Sequence, residues 1–185
     1  FLRQLKGRRF YEDQIVHTER IPARRAWYAD LERPLPRKLR QALDRAGVND
    51  LYVHQAQAID AVRRGKHVIV ATPTASGKTL IYNLPVLERC VLDWRARALY
   101  LFPTKALAQD QMRSLGRLIG GDLSRIRVGI YDGDTPQSAR SSVRRQSSIL
   151  LTNPDMLHQG ILRNHNLWTS FFRNLRYVVL DEAHV

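Results

Sequence analysis

The chain has 185 residues, enough for one domain and an extension, and at 44% hydrophobic and 25% charged it reads as a globular protein with a real core. Lysine and arginine total 30 against 17 acidic residues, and the resulting net charge of +13 favours a polyanionic partner, nucleic acid foremost. A single cysteine, Cys90, excludes an internal disulfide and a cysteine-built zinc site and fits a reducing cytoplasm, while no apolar run approaches the ~20 residues of a membrane span and no signal peptide is visible.

Residues 1–33 are basic and show no sustained period, which reads as an arm. Pro34 and Pro36 lead into a helical pattern over 36–46, with Leu39, Leu43 and Ala46 at helical spacing and Gly47 as its stop. A second helix is predicted over 53–64, striped by Ala56, Ile59 and Val62 and stopped by Gly65. The rhythm then changes. Short runs rich in valine, isoleucine and leucine at 67–71, 98–102, 127–131, 149–152 and 177–180 alternate with helix candidates at 78–92, 105–119, 136–145 and 155–163. Continuous apolar runs predict strands buried on both faces, and the alternation predicts a parallel sheet with right-handed crossovers. Ligands of such sheets bind at the carboxyl ends of the strands, so functional residues are expected there. Cys90, in an apolar stretch, reads as a core residue and not a nucleophile. Phe1 and Val185 read as cuts in something longer.

The first of those runs is followed by Ala71-Thr72-Pro73-Thr74-Ala75-Ser76-Gly77-Lys78-Thr79. A small-residue loop lets successive backbone N–H groups converge on phosphate oxygens, and the following helix aims its positive end at the same anion. Lys78 would place its charge on the β- and γ-phosphates of a nucleotide held by Thr74, Ala75, Ser76, Gly77, Lys78 and Thr79, and the Thr79 hydroxyl can ligate Mg²⁺. The strict pattern has glycine where Thr72 stands. The last run ends in Leu180-Asp181-Glu182-Ala183-His184. Asp181 suits a Mg²⁺-holding carboxylate, acting through water, and Glu182 a general base for the attacking water. The blander reading of each motif is an ordinary strand-end turn. Their occurrence together is what favours chemistry.

These two boxes, with what lies between them, resemble the superfamily 2 DEAD/DEAH-box helicases from Leu51 onward. Residues 72–79 look like motif I, Phe102-Pro103-Thr104-Lys105-Ala106-Leu107-Ala108 like motif Ia, and residues 131–135 and 152–157 like the next two nucleic-acid-contacting motifs. Residues 181–184 spell motif II as DEAH. The resemblance implies a RecA-like P-loop NTPase domain over 51–185, with a mostly parallel α/β sheet flanked by helices and a short N-terminal extension over 1–50 carrying one helix. It implies ATP and Mg²⁺ as cofactors, catalysis through Lys78, Asp181 and Glu182, and adenine read by Gln55, whose amide donates and accepts at once. Thr104, Lys105, Gly133, Thr152 and Asp155 become candidates for phosphate contacts on one strand, although threonine and aspartate there also suit helix caps. His184 would couple the site to a second RecA-like domain in the same full-length protein, which would supply an arginine finger. Without that domain the chain is expected to bind ATP weakly, hydrolyse it poorly and unwind nothing.

Thr74-Ala75-Ser76-Gly77-Lys78, Tyr82-Asn83-Leu84-Pro85-Val86-Leu87 and Thr18-Glu19-Arg20-Ile21-Pro22-Ala23-Arg24 look more narrowly like the Hrq/MrfA-type DNA helicases. That resemblance implies single-stranded or forked DNA as partner, a part in DNA repair and, in a bacterium, association with the nucleoid. Pro73 and Thr79 stand where those relatives usually carry glycine and often serine. Three alternatives stay open on sequence: an RNA helicase of DEAD-box type, a P-loop nucleotide switch that does not translocate, and a basic nucleic-acid-binding domain with a silent ATP site.

Overall fold

The computed structural model describes every residue except 21, 23, 24, 73–75 and 183–185, together with all side chains of the helices and strands but that of residue 122. A short helix α1 (Leu2–Lys6) and the arm precede α2 (Arg37–Arg45), α3 (Val53–Arg63) and α4 (Lys78–Leu92). Then follow β1 (Arg97–Leu101), α5 (Lys105–Ile119), β2 (Val128–Ile130), α6 (Gln137–Gln146) and β3 (Ile149–Thr152). The chain closes with α7 (Pro154–Met156), a π-helical turn over Leu157–Leu162, α8 (Thr169–Arg173) and β4 (Leu175–Leu180).

The four strands pair in parallel in the order β2-β3-β1-β4, with Leu99 of β1 opposite both Leu150 and Val178. Strand side chains alternate between faces, and the two faces of this sheet are covered by different partners. Ala98, Tyr100, Phe102, Ile149 and Leu151 pack with Leu39, Ile59, Leu84, Leu87 and Leu115 from α2 to α5. Leu99, Leu101 and Leu150 point the other way, onto Ile161, Trp168 and Phe171. The continuous apolar character of β1 and β3 is thus what two covered faces require. Cys90 lies in the larger core, where burial pushes its thiol up to about 11.

Helix boundaries follow local chemistry. Gly47 and Gly65, the two predicted stops, have φ of +74° and +79°, left-handed values that a residue with a Cβ adopts at a cost. Thr104 caps α5 by accepting from the Leu107 N–H, and Asn153 caps α7 by accepting from the Met156 N–H. The single helix expected over 155–163 is instead a short α-turn that widens into the π-turn.

Two expectations fail at the sheet's margin. The run at 67–71 forms no strand: the segment has no ladder partner, and Ile69 is 97% exposed. An apolar run expresses a preference for burial, but a strand also needs a neighbour for its N–H and C=O groups. β4 does pair, on one side only, and its residues alternate between half-buried and exposed, leaving Val178 and Leu180 on the surface. An edge strand with a single covered face shows this period of two.

The end of the arm is anchored to the domain. Arg63 of α3 forks onto Glu88 of α4 with two contacts of 2.8 Å, reaches Asp60 at 3.3 Å and donates to the Arg33 carbonyl at 2.7 Å. Burial opposes its charge, but Glu88 and Asp60 outweigh that and raise its pKa. Among the described residues no helix is long and apolar enough to cross a membrane.

Candidate functional site

Because all four strands run the same way, their carboxyl ends share one edge of the sheet. Thr104 and Lys105 follow β1, Gly133 follows β2, Asn153 and Asp155 follow β3, and Asp181 follows β4. The Asp181 N–H donates to the Leu101 carbonyl at 3.1 Å, which carries the ladder one residue past β4 and fixes where its carboxylate starts.

Gly77 opens α4 with φ of +77°, and a Cβ at that position would run into the Gln55 amide. Lys78 donates to the Thr72 carbonyl at 3.2 Å, and the hydroxyls of Thr72 and Ser76 pair at 2.6 Å, so the two flanks of the loop are linked to each other. One turn along α4, the Tyr82 hydroxyl donates to Asp181 Oδ2 at 3.0 Å. α4, which carries Thr79 in its first turn, is therefore tied to the end of β4 by a contact that spans 99 positions. Burial, then the nearby Asp181 carboxylate, raises the Tyr82 pKa, so the phenol stays a donor at physiological pH. Glu182 sits beside Asp181 with its N–H on Asp181 Oδ1 at 3.1 Å and a φ of +52°, a left-handed conformation costly for glutamate and characteristic of functional strand ends.

One hydroxyl and one carboxylate, both hard oxygen donors, suit Mg²⁺, which retains waters and takes its remaining ligands from phosphate. Among the described residues there is no group of three or more His, Cys, Asp or Glu that would instead build an all-protein metal cage.

Gln55 is 2% exposed, and its amide is committed to the main chain: Nε2 donates to the Gly77 carbonyl at 3.0 Å, and Oε1 accepts from the Tyr52 N–H at 2.9 Å. It ties the start of α3 to the phosphate loop. His54 is joined to the Ser76 carbonyl at 3.1 Å, a second tie between the same elements.

Farther along the edge, Lys105, Gly133, Arg140, Asn153, Asp155 and Gln159 line a cavity of about 300 Å³. Lys105 pairs with Asp134 at 2.6 Å, and this hydrogen bond raises the lysine's pKa. Arg140 is held by the carbonyls of Thr135 and Asp132 and lies 5.4 Å from the Tyr131 ring centre.

Three of the five nucleic-acid candidates, Lys105, Gly133 and Asp155, come together in that cavity. Thr104 is exposed nearby, with its hydroxyl on the helix cap. Thr152 needs correction: it is 1% exposed and its hydroxyl donates to the Tyr131 carbonyl at 2.6 Å, so it fastens β3 to β2 and offers no side chain to a ligand. Thr74, Ala75 and His184 lie outside the described residues. Sequence reasoning missed Tyr82 and Arg140. Tyr82 stands one helical turn after Lys78, a spacing that places it on the same face; the charged Arg140 had no such signal.

A parallel sheet with a glycine-opened helix and an acidic strand end converging on one tyrosine defines a RecA-like α/β domain. The DEAD/DEAH box helicase family matches residues 52–185, and the chain belongs to that family. It is 44% identical over 180 residues to the ATP-dependent helicase YprA of Bacillus subtilis, covering 97% of this chain and 24% of that protein. It is 47% identical to the ATP-dependent helicase hrq1 of Schizosaccharomyces pombe, covering 100% of this chain and 18% of that protein. The crystal structure of the DUF1998 helicase MrfA bound to DNA and AMPPNP superposes with a TM-score of 0.85 at 44% identity, over 99% of this chain and 25% of that one. The narrower resemblance to the Hrq/MrfA type is thereby borne out, and the chain spans about a quarter or less of the length of these relatives.

Proposed function

We propose that this chain is the first ATP-binding motor domain of an ATP-dependent DNA helicase or translocase that acts in DNA repair, in the cytoplasm. The observation that carries the proposal is the Tyr82–Asp181 hydrogen bond, which ties the helix opened by Lys78 and Thr79 to the strand end that carries Asp181 and Glu182. A lysine, a hydroxyl and two carboxylates at one strand edge are the parts that phosphoryl transfer to water needs.

In this reading Lys78 leaves the Thr72 carbonyl for the β- and γ-phosphate oxygens, and the backbone at the start of α4 supplies N–H donors to the same anion. Thr79 and Asp181 would hold Mg²⁺, which neutralises charge on the phosphates when bound. Glu182 accepts the proton of the attacking water. Asp181 is oriented by two donors, Tyr82 and the Glu182 N–H. Lys105, Arg140 and the open ends of β2 and β3 would take the phosphates of one nucleic-acid strand, contacts that position without reading sequence. DNA is favoured over RNA because the MrfA relative was crystallised with DNA. A second RecA-like domain of the full protein would close over the nucleotide and turn hydrolysis into movement.

The test is ATP hydrolysis by the full-length protein alone, with single-stranded DNA and with single-stranded RNA, beside Lys78→Ala. Stimulation by DNA, with turnover cut on the order of 10²–10³-fold in the variant, is expected. Stimulation by RNA alone would move the assignment to an RNA helicase. Tight ATP binding with no stimulation by either would leave a nucleotide switch.

A further inference from the structure

We propose that the end of the sheet opposite the nucleotide and strand sites docks an acidic segment of a separate protein, one that sets an apolar side chain against Trp94 and Leu92 at the turn between α4 and β1.

α4 ends at Leu92 and β1 begins at Arg97. The parallel strands run from this end toward the edge that carries Lys105 and Asp181, so the turn lies at the far end of the sheet from the chemistry. Leu92 is 69% exposed and Trp94 71% exposed. A single exposed leucine is ordinary, but two large apolar residues on one short turn point to a contact surface.

Loose backbone would weaken that reading, and here the turn is braced. The Ala96 N–H donates to the Asp93 carbonyl at 2.9 Å, and the Arg95 N–H to Asp93 Oδ1 at 3.0 Å. The Arg97 guanidinium reaches the carbonyls of Trp94, Arg95 and Ala96 at 3.1, 2.8 and 3.0 Å. The Arg97 N–H donates to the Asn174 carbonyl at 2.9 Å, which ties the turn to the start of β4. Trp94 therefore stands on a fixed base, with the Arg95 guanidinium 5.2 Å from its ring centre. A surface ordered before binding loses less freedom when a partner arrives.

The charge around the turn selects the partner. Arg89, Arg95, Arg97 and Arg176 gather there: Arg89 reaches Asp93 at 3.5 Å, and Arg176 is the residue skipped where the β1–β4 register shifts after Arg97. The neighbouring acids are already engaged. Asp93 accepts from Arg89 and from the Arg95 N–H, and Glu88 is forked by Arg63. The surplus is positive and calls for a negative partner. A second copy of this chain, with a net charge of +13 and the same arginines, would be repelled. Nucleic acid would satisfy the arginines through its phosphates but leave Leu92 without an apolar contact. A polypeptide that sets a phenylalanine or leucine among carboxylates satisfies both halves of the surface. Tryptophan and arginine are also the side chains that most often anchor protein interfaces. Because the turn is remote from Lys78 and Asp181, the partner is held without blocking either site.

The experiment uses the full-length protein and fluorescence anisotropy with three labelled probes: a short peptide of aspartates and glutamates ending in phenylalanine, the same peptide ending in glutamine, and oligothymidine. The phenylalanine peptide is expected to bind, more weakly as salt rises, and the glutamine peptide to bind about tenfold less well. Trp94→Ala and Arg176→Glu should each weaken the phenylalanine peptide roughly tenfold and leave oligothymidine binding and ATP turnover at wild-type values, while Trp94→Phe retains most of the affinity. Both positions are exposed, so the variants should stay folded, which circular dichroism checks. The proposal is overturned if the wild type does not bind the phenylalanine peptide, as when another part of the same protein covers the turn, or if Trp94→Ala binds it undiminished. Equal binding of the two peptides would leave charge alone and overturn it as well. Loss of oligothymidine binding in the variants, with peptide binding intact, would make the turn a nucleic-acid surface instead.

Discussion

At the proposed nucleotide end of the sheet edge, part-buried polar side chains are tied across long stretches of sequence to another side chain or to main-chain carbonyls: Tyr82 to the Asp181 carboxyl, Gln55 to the Gly77 carbonyl, His54 to the Ser76 carbonyl. At the proposed nucleic-acid end the central contact, Lys105 to Asp134, is an ion pair whose side chains are 48% and 74% exposed. The difference matches two kinds of work. Hydrolysis requires groups already oriented when charge develops, and orientation survives only where water cannot compete. Holding a strand by its phosphates requires charge within reach and tolerates motion, so exposed, adaptable cations suffice. Changes at the first end should therefore be large and specific to turnover. Changes at the second should be smaller, dependent on salt and nearly silent in stability.

The largest expected effect is Asp181→Asn. It removes the proposed metal-holding charge and should cut ATP turnover on the order of 10²–10³-fold while the protein stays folded by circular dichroism. A loss under threefold would remove Asp181 from the chemistry. Next is Tyr82→Phe, which keeps the ring and deletes only the donor to Asp181. A hydrogen bond to a charged group contributes about 1.5–3 kcal/mol, so kcat should fall at least tenfold, with KM changing less. The same variant carries a pH signature. The folded Tyr82 phenol has a raised pKa, so the stability it contributes is fully present below the unfolded value of about 10 and is lost as pH rises above it, where the unfolded chain releases the proton first. Thermal melts between pH 8 and 11 should show the wild type losing Tm faster than Tyr82→Phe. Parallel curves would mean that Tyr82 is not shielded as the structure has it.

How much of this was legible in the sequence depended on how local the cause was. β1 and β3 were legible because burial on two faces leaves a continuous apolar run, and Gly47 and Gly65 because helix stops require their backbone angles. The phosphate loop and the acidic strand end were legible because each is a contiguous pattern. The run at 67–71 misled, since apolar composition says nothing of which strand is available to pair. Tyr82 escaped for the opposite reason. Its role comes from a partner 99 positions away, a separation that no window along the chain detects. Thr152 looked like a strand-end ligand, and only the burial of its hydroxyl against Tyr131 shows it to be a structural tie.

The smaller predictions address the exposed end, and their signs are opposite. Lys105→Ala should weaken single-stranded DNA binding severalfold at low salt and lower the salt dependence of affinity by about one counterion, with little change in Tm. Asp134→Asn should act the other way. The carboxylate holds Lys105 by the hydrogen bond that raises its pKa, and so competes with a phosphate for the same ammonium. Removing its charge frees the lysine and removes a repulsive group from the cavity mouth. Affinity should then rise about twofold, in line with the small energies of exposed ion pairs. The Asp134 main chain remains anchored through its N–H on Asp132 Oδ1, so the loop after β2 should keep its shape. A double-mutant cycle separates the two contributions: in a Lys105→Ala background, Asp134→Asn should lose most of its gain, because the competition it relieves is no longer there. An undiminished gain would mean that Asp134 acts only as general negative charge. A loss of affinity in the single variant would mean that the Lys105–Asp134 pair is itself the form that grips the strand, and the contrast between a fixed nucleotide end and an adaptable strand end would fail at its weaker side.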